Sequence, residues 1–151
     1  MSIYQLVFNI LHDNSMLKYE FVEHTADLTF KAYGRDLNKL FENAAEALES
    51  TLVMLEDVAV RETTTIEMTS DSWEDLLYDW LTEFLVTFEV NRFAVKKCIV
   101  NVAGLSLSAE CWGERIDPNR HTLNTEVKAV TYHNLQIKKN NVYHAEITLD
   151  V

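Results

Sequence analysis

Apolar side chains recur every three or four residues in two stretches of this chain, a spacing that places them on one face of an α-helix. The first stretch covers residues 37–52 and follows Asp36, whose side chain can accept hydrogen bonds from the free amides of a first helical turn. The second covers residues 73–88, and either Asp71 or Ser72 can supply capping-box chemistry at its start. The pattern predicts two helices that bury their apolar faces.

The polar face of the second helix carries four acids, and we expect that face to be solvated. They are Glu74, Asp75, Asp79 and Glu83.

Segments rich in β-branched and aromatic residues surround the helices and favour strands. They are residues 18–23, 28–33, 58–68, 93–103, 105–112, 125–132, 135–138 and 142–150. Strands that exchange with two helices in this order predict an α+β fold, a single layered domain with two helices packed on a largely antiparallel β-sheet. We assign residues 16–151 to this domain. Residues 1–15 are either a genuine N-terminal arm or a stretch that precedes a later start at Met16.

The residues around Gly104 predict a tight β-hairpin. Glycine at the first central position suits a two-residue type II′ turn. The resulting register pairs Ala103 with Ser106 and sets Cys98 opposite Cys111, with a shared face that is apolar apart from Lys96. We expect two buried free thiols rather than a disulfide, because two cysteines make no disulfide framework and a reducing compartment keeps thiols reduced.

The chain is strongly acidic. Its 151 residues hold 24 Asp and Glu against 13 Lys and Arg, for a net charge of −11. Such a surface repels phosphate backbones, so it argues against strong direct nucleic-acid binding, and it is consistent with solubility, a cation site or a basic protein partner. No apolar run approaches the roughly 20 residues of a membrane span, and residues 3–11 lack the flanks of a signal peptide. We therefore expect a cytoplasmic protein with no membrane partner.

Carboxylates stand at three places that invite a metal site: Asp27, Asp117 and Asp150. Alternation along the last predicted strand places Asp150 on its polar side, away from the core, and Val151 adds a terminal carboxylate one residue away. Hard oxygen donors of this kind bind cations such as Ca²⁺ or Mg²⁺. The alternative is an acidic terminus that is simply solvated.

Several basic side chains have both a structural and a functional interpretation. Lys128 lies on a predicted strand with Glu126 and Val130 on its own side, as a solvent-facing lysine or a contact to phosphate or a partner. His24 and His133 are candidate ligands or bases, although ordinary structural or surface histidines look the same in sequence.

Arg120 and His121 form a basic pair in acidic surroundings. We expect them to form salt bridges to Glu114 and Asp117, and His121 is also a candidate ligand or base.

Five strings of residues resemble, in the same order, those of the archease family. They are YEFVEHTAD at residues 19–27, WLTEFL at 80–85, Gly113-Glu114 followed by Asp117, Arg120 and His121, EVKAVTYH at 126–133, and LDV at 149–151. Together they extend from about residue 18 to the end of the chain.

The resemblance implies a compact α+β protein similar to the chaperone Hsp33 and a cofactor of the GTP-dependent tRNA-splicing RNA ligase. Such a protein promotes guanylylation of the ligase and its multiple turnover. The resemblance also implies a divalent cation, seen as calcium, held by Asp27, Asp150 and Val151, where Mg²⁺ or Mn²⁺ would also suit the donors. Lys128 would be functionally important, and we add His24 as a tentative contact to phosphate or to the partner.

Two other functions stay open at this stage. One is a chaperone-like protein-binding module, although two cysteines are too few for the cysteine cluster that redox switching of the Hsp33 type needs. The other is a metal-dependent hydrolase of RNA ends, although the sequence offers no evident nucleophile-and-base set and no HExxH, CxxC or glycine-rich phosphate loop. We expect a protein that is not an enzyme.

Overall fold

The computed structural model of the chain describes residues 16–23 and 26–151. This part contains two α-helices, eight strands and a short 3₁₀ helix. The helices are α1 (Leu37–Leu52) and α2 (Trp73–Glu89), the 3₁₀ helix is Leu55–Asp57, and the strands are β1 (Tyr19–Val22), β2 (Leu28–Gly34), β3 (Glu62–Thr69), β4 (Phe93–Ala103), β5 (Ser106–Arg115), β6 (Ala129–Val130), β7 (Lys138–Lys139) and β8 (Tyr143–Asp150). Neither helix is long and apolar enough to cross a membrane.

The strands form two antiparallel sheets. Strands β1, β2, β8 and β6 lie in that order in the larger sheet, where β7 also pairs with β8, and the smaller sheet has the order β3, β5, β4. Helix α1 contacts β2 of one sheet and β4 of the other, so it joins the two sheets. The predicted α+β architecture is confirmed, with the strands divided between two sheets.

The core lies where the two helices meet these sheets. Trp80 of α2 is fully buried, donates its indole N–H to the Phe41 carbonyl of α1 at 3.0 Å, and meets the Phe84 ring edge-on. Phe30 of β2 and Ile147 of β8 are fully buried from the sheet side. A tryptophan buried with its N–H satisfied adds apolar area at no unpaired polar cost.

Both helices begin where the sequence predicts. The Asp36 side chain accepts from the Lys39 amide at 2.8 Å, and the Ser72 hydroxyl, rather than Asp71, accepts from the Asp75 amide at 3.0 Å. These bonds satisfy amides that have no partner inside the helix.

The acidic face of α2 does more than meet solvent. Glu74 accepts from the Ile137 amide at 2.9 Å, and Asp75 accepts from the Tyr132 hydroxyl at 2.9 Å. Asp79 accepts from the Ser70 hydroxyl at 2.6 Å. Glu74 and Asp75 are partly buried and hold the segment after β6, so the expectation of a merely solvated face is wrong for these two, whereas Asp79 is exposed as expected.

The predicted hairpin is confirmed with its register. Gly104 has a φ of 61°, the positive value that the first position of a type II′ turn requires. Cys98 lies opposite Cys111, and the two free thiols are within hydrogen-bonding distance. Cys111 is buried and Cys98 is half-buried, and the hydrogen bond to Cys111 together with burial raises the pKa of the Cys98 thiol. A β-bulge between Val95 and Lys97 interrupts β4 below this pair.

Three predicted strands are shorter than the pattern suggests. Strand β3 begins at Glu62 instead of residue 58, and residues 125–132 and 135–138 contribute only β6 and β7. For the segment that begins at residue 125 the reason is visible after α1, where the amides of Asn124 and Thr125 donate to the Leu52 and Thr51 carbonyls at 2.9 Å each. These bonds satisfy the end of a helix, so this segment cannot pair as a strand there.

Candidate functional site

The predicted metal ligands come together at one end of the larger sheet. Asp27 directly precedes Leu28, which pairs with Leu149, so Asp27 and Asp150 stand one residue beyond the last pair of β2 and β8. Both acids are exposed. The Lys128 amide donates to the Asp150 carbonyl at 2.7 Å, which brings Lys128 to the same end of the sheet.

The donors at this end have the right chemistry for a hard divalent cation. Two side-chain carboxylates and the oxygens of Val151 are the ligand types that Ca²⁺ and Mg²⁺ prefer. Within residues 16–23 and 26–151, however, no three His, Cys, Asp or Glu side chains converge closely enough to hold a metal ion. A metal here has to use Val151 oxygens or donors from outside this set, so the metal stays a prediction.

Lys128 and Val130 do not lie on the same side of the chain, contrary to the prediction. Val127 and Val130 are both buried, three residues apart, whereas Glu126 and Lys128 are exposed. Strict alternation cannot bury two residues at that spacing. Pairing with β8 begins only at Ala129, so the chain before it follows its own path and Val130 faces the core rather than sharing the side of Lys128.

The histidines separate into three cases. His24 lies outside the described residues, so its role as a contact stays a prediction. His133 is exposed, with its ring Nε2 3.3 Å from the Asn134 side-chain nitrogen. His121 is buried and belongs to the network described next.

A second cluster is built around the buried carboxylate of Glu114, at the end of β5. Its Oε2 accepts from the Ala59 amide at 2.5 Å and lies 3.0 Å from His121 Nε2. Its Oε1 accepts from the Arg120 guanidinium and lies 3.4 Å from Arg61 Nε. Only 3% of Glu114 is exposed, so these partners replace the water that the carboxylate loses on folding.

The partners keep Glu114 ionised. The Arg120 hydrogen bond is the largest influence, and the bonds from Ala59 and His121 add to it; burial acts in the opposite direction. Together they lower the pKa of Glu114 to about 2. Stabilisation of the charged form by donors outweighs desolvation here.

The loop after β5 fixes the His121 ring. The Asp117 amide donates to His121 Nδ1 at 2.8 Å, so Nδ1 is the acceptor and Nε2 carries the hydrogen that Glu114 receives. This tautomer follows from the hydrogen-bond network. The expected salt bridge from Arg120 to Glu114 is confirmed, whereas the His121 ring, whose Nδ1 is an acceptor, donates a hydrogen bond to Glu114 and forms no salt bridge. The Asp117 carboxylate instead accepts from the Asn119 amide at 3.0 Å, within its own loop.

Gly113 lets β4 and β5 approach each other beside Glu114. A Cβ built at Gly113 would lie 1.8 Å from the Ala94 carbonyl oxygen, which no side chain tolerates. The glycine therefore sets the position from which Glu114 reaches Arg120 and His121.

The segment after His121 connects this cluster to the Asp150 end of the sheet. The Met54 amide donates to the Thr122 carbonyl at 2.9 Å, and Val53 forms a β-bridge with Leu123. The chain then follows the end of α1 and reaches Lys128 five residues after Leu123. The Glu114 cluster thus anchors the start of the segment that carries Lys128.

A comparison with protein families places these features in context. Residues 19–151 match the model of the Archease protein family (MTH1598/TM1083). The chain belongs to the archease family. Protein archease of Sulfurisphaera tokodaii is 39% identical over 139 residues, covering 90% of this chain and 100% of that protein. Protein archease of Methanosarcina mazei is 37% identical over 140 residues, covering 89% of this chain and 96% of that protein.

The archease relationship extends to structure. The solution structure of Methanobacterium thermoautotrophicum protein 1598 matches this fold with a TM-score of 0.73 at 35% identity, covering 88% of this chain and 98% of that one. The archease-like architecture predicted from the sequence is therefore confirmed.

The structure explains the archease string Gly113-Glu114. At Gly113 two strands approach each other closely, and Glu114 is a buried acid whose two carboxylate oxygens both have partners. The sequence did not predict two of the partners of Glu114. Arg61 and the Ala59 amide come from the stretch predicted as a strand, and nothing in its composition distinguishes a residue that turns back toward Glu114.

Proposed function

We propose that this protein activates a GTP-dependent tRNA-splicing RNA ligase, promoting ligase guanylylation and multiple turnover, and that it is not itself an enzyme. Membership of the archease family supports the proposal. The observation that carries it is the strand register that brings Asp27 and Asp150 to one sheet end, with Lys128 hydrogen-bonded there. An exposed acidic end of this kind suits a contact to the metal- and phosphate-bearing centre of a partner.

At this end, Asp27, Asp150 and Val151 would hold a divalent cation, with Ca²⁺ first and Mg²⁺ or Mn²⁺ as alternatives. When bound, the cation would supply positive charge that offsets the neighbouring carboxylates. Lys128 would face phosphate or the ligase surface, and His24 would be a second contact. Three protein ligands leave coordination positions for water or for a group of the partner.

The test is guanylylation of the ligase from the same organism, measured with and without the protein. Asp27→Ala and Asp150→Ala should fold normally and lose the acceleration, whereas Asp71→Ala, an exposed acid before α2, should keep it. Full acceleration by either Asp27→Ala or Asp150→Ala would contradict the site. Calorimetric titration of the same variants with Ca²⁺ separates a lost metal from a lost contact.

The non-enzymatic part has its own measurement. Incubation of the protein alone with RNA ending in a 2′,3′-cyclic phosphate should leave the RNA ends unchanged over the time in which the ligase acts. Turnover by the protein alone would instead favour a metal-dependent hydrolase.

A further inference from the structure

The acids of helix α2 have no cationic partners, unlike two acids of α1. On α1, Glu42 pairs with Lys39 at 3.0 Å. The next acid of α1, Glu46, pairs with Lys18 at 3.3 Å. The 17 residues of α2 include five Asp and Glu and no Lys, Arg or His. In the described part of the chain none of these five acids forms a salt bridge, so α2 keeps an uncompensated negative charge.

Three of these acids form a row on the side of α2 that faces away from the core. Asp75, Asp79 and Glu83 stand four residues apart, and none of them is among the buried residues of the helix. Asp75 and Asp79 accept hydrogen bonds from hydroxyl groups, which do not neutralise their charge. Like charges at this spacing repel each other and destabilise a helix. A positively charged partner would relieve the repulsion along this acidic row.

Beside the acidic row, the same side of α2 exposes apolar and aromatic side chains. Tyr78, Thr82 and Val86 follow the same spacing of four residues, and Val86 is 42% exposed. The Tyr78 ring stacks on Tyr132 with the ring centroids 4.1 Å apart, and Tyr132 is 51% exposed. Aromatic residues are enriched at protein interfaces, and exposed apolar groups rimmed by charges are typical of contact surfaces.

Tyr132 connects this side of α2 with the Asp27–Asp150 end of the larger sheet. Its hydroxyl donates to Asp75 at 2.9 Å, which holds it against the helix. It stands three residues after Ala129, which pairs with Asp150, so the Cα atoms of Tyr132 and Ala129 are at most about 11 Å apart. A partner bound at the end of the sheet can therefore reach α2 without leaving the surface.

We propose that the outward side of α2, together with Tyr132, docks a basic segment on the surface of the RNA ligase. The inference rests on the proposed function and names the surface through which the ligase is held. Lysine and arginine side chains of that segment would lie along the acidic row. An apolar side chain of the segment would lie on the part of the surface between Val86 and Tyr132.

Charge selects a basic protein segment as the occupant of this surface. A protein that binds RNA carries lysines and arginines that neutralise phosphates, so the ligase is expected to have basic segments. RNA itself would be repelled by the acidic row, and a second copy of the chain would bring another net charge of −11. Complementary charges across an interface speed association and fix the orientation of the partner.

The test measures the affinity of the full chain for the ligase and the acceleration of guanylylation at increasing concentrations of the chain. Asp79→Asn/Glu83→Gln removes two charges of the acidic row with little change in side-chain size. The dissociation constant should rise roughly fivefold and depend less on salt, because two exposed ion pairs are lost. Val86→Lys replaces an apolar contact with a charge of the same sign as the partner, so the constant should rise about tenfold or more.

The activation curve distinguishes docking from a role in the Asp27–Asp150 site. Both α2 variants should need more protein for half-maximal acceleration but should reach the plateau of the parent, because the proposed metal ligands are unchanged. Asp27→Ala should lower the plateau itself. Glu67→Gln/Glu110→Gln is the matched control: both acids are exposed on the outer face of the smaller sheet, and this variant should bind and activate as the parent does.

Four outcomes would overturn the docking surface. Parent-like affinity and activation curves in both α2 variants would remove it and leave the proposed function in place. An equal loss in the control variant would show a general attraction between opposite charges. A parent chain that neither binds nor activates the ligase would refute the proposed function together with this inference. Self-association of the parent that Val86→Lys abolishes would assign the surface to a second copy of the chain.

Discussion

Two buried glutamates in this protein have opposite environments. Glu114 is 3% exposed and receives hydrogen bonds from Arg120, His121 and the Ala59 amide, and its pKa falls to about 2. Glu49 is 1% exposed, and among the described residues its carboxyl has a single long bond, from the Val95 amide; burial raises its pKa well above the usual range. Equal burial thus accompanies a lowered pKa in one place and a raised pKa in the other.

The difference shows which acid stabilises the fold and which one costs stability. A carboxylate with all its donors in place holds its loop together and gains nothing from further contacts. A buried carboxyl oxygen that has no partner among the described residues, as in Glu49, costs stability. The comparison makes the Glu114 cluster a structural clamp and Glu49 an incompletely partnered acid in the core.

The largest effect should follow removal of the clamp. Glu114→Ala leaves the buried His121 and the Ala59 amide without their acceptor, and it leaves Arg120 without its ion pair. We expect the free energy of unfolding at pH 7 to fall by about 3 kcal/mol, the lower end of the range for breaking a buried pair, because the arginine keeps contact with water. Urea unfolding measures this. A loss below about 1 kcal/mol would mean that the cluster is not a clamp.

Lowering the pH should remove the same contribution of Glu114 to the free energy of unfolding. The pKa of Glu114 is lowered in the folded state from its ordinary 4.5 to about 2, so its stabilisation is complete above 4.5 and is lost as the pH falls toward 2. The difference in unfolding free energy between the parent protein and Glu114→Gln should therefore shrink across this window. A difference that stays constant from pH 5 to pH 2 would contradict the assignment.

The sequence predicts part of this contrast, and the part it predicts involves residues that are close together along the chain. The alternation of residues 93–112 and the turn at Gly104 are local signals, and they predicted the register that sets Cys98 opposite Cys111. The proximity of Arg120 and His121 to Glu114 in sequence also predicted that both contact Glu114, and the structure has a salt bridge from Arg120 and a hydrogen bond from His121. These interactions span a few residues, so local patterns are enough to specify them.

Contacts between residues that are far apart along the chain were not predictable in this way. Glu49 looks like one polar position on an amphipathic helix, and only the packing of α1 against the free edge of β4 makes it a buried acid. The register of Asp27 and Asp150 likewise depends on pairing between β2 and β8 across most of the chain. The sequence singled out Asp27 and Asp150 as candidate ligands and the family resemblance implied that they act together, whereas their common position at one end of the sheet follows from the strand pairing.

Substitution of Glu49 should have an intermediate effect on the free energy of unfolding, with the opposite sign. Its folded pKa is raised above 4.5, so the unfolded state ionises first and the parent protein loses stability as the pH rises above that value toward the folded pKa. Glu49→Gln stays neutral and escapes this loss, so we expect it to be more stable than the parent at pH 7 and nearly equal to it at pH 4. Unfolding curves at the two pH values measure the difference. Equal stability at both would show that Glu49 is ionised in the fold.

The smallest effect should be the difference in stability between variants of the two arginines that contact Glu114. Arg61 reaches Glu114 from a side chain that is 67% exposed, with its Nε 3.4 Å from Oε1, whereas Arg120 also donates to the Asp57 carbonyl at 3.1 Å. Exposed pairs contribute little, so Arg61→Ala should cost less than about 0.5 kcal/mol. Arg120→Ala should cost more, because it removes both the shortest bond to Glu114 and the link to the 3₁₀ helix. Thermal unfolding of the two variants ranks them, and the reverse order would mean that Arg61, not Arg120, completes the charged environment of Glu114.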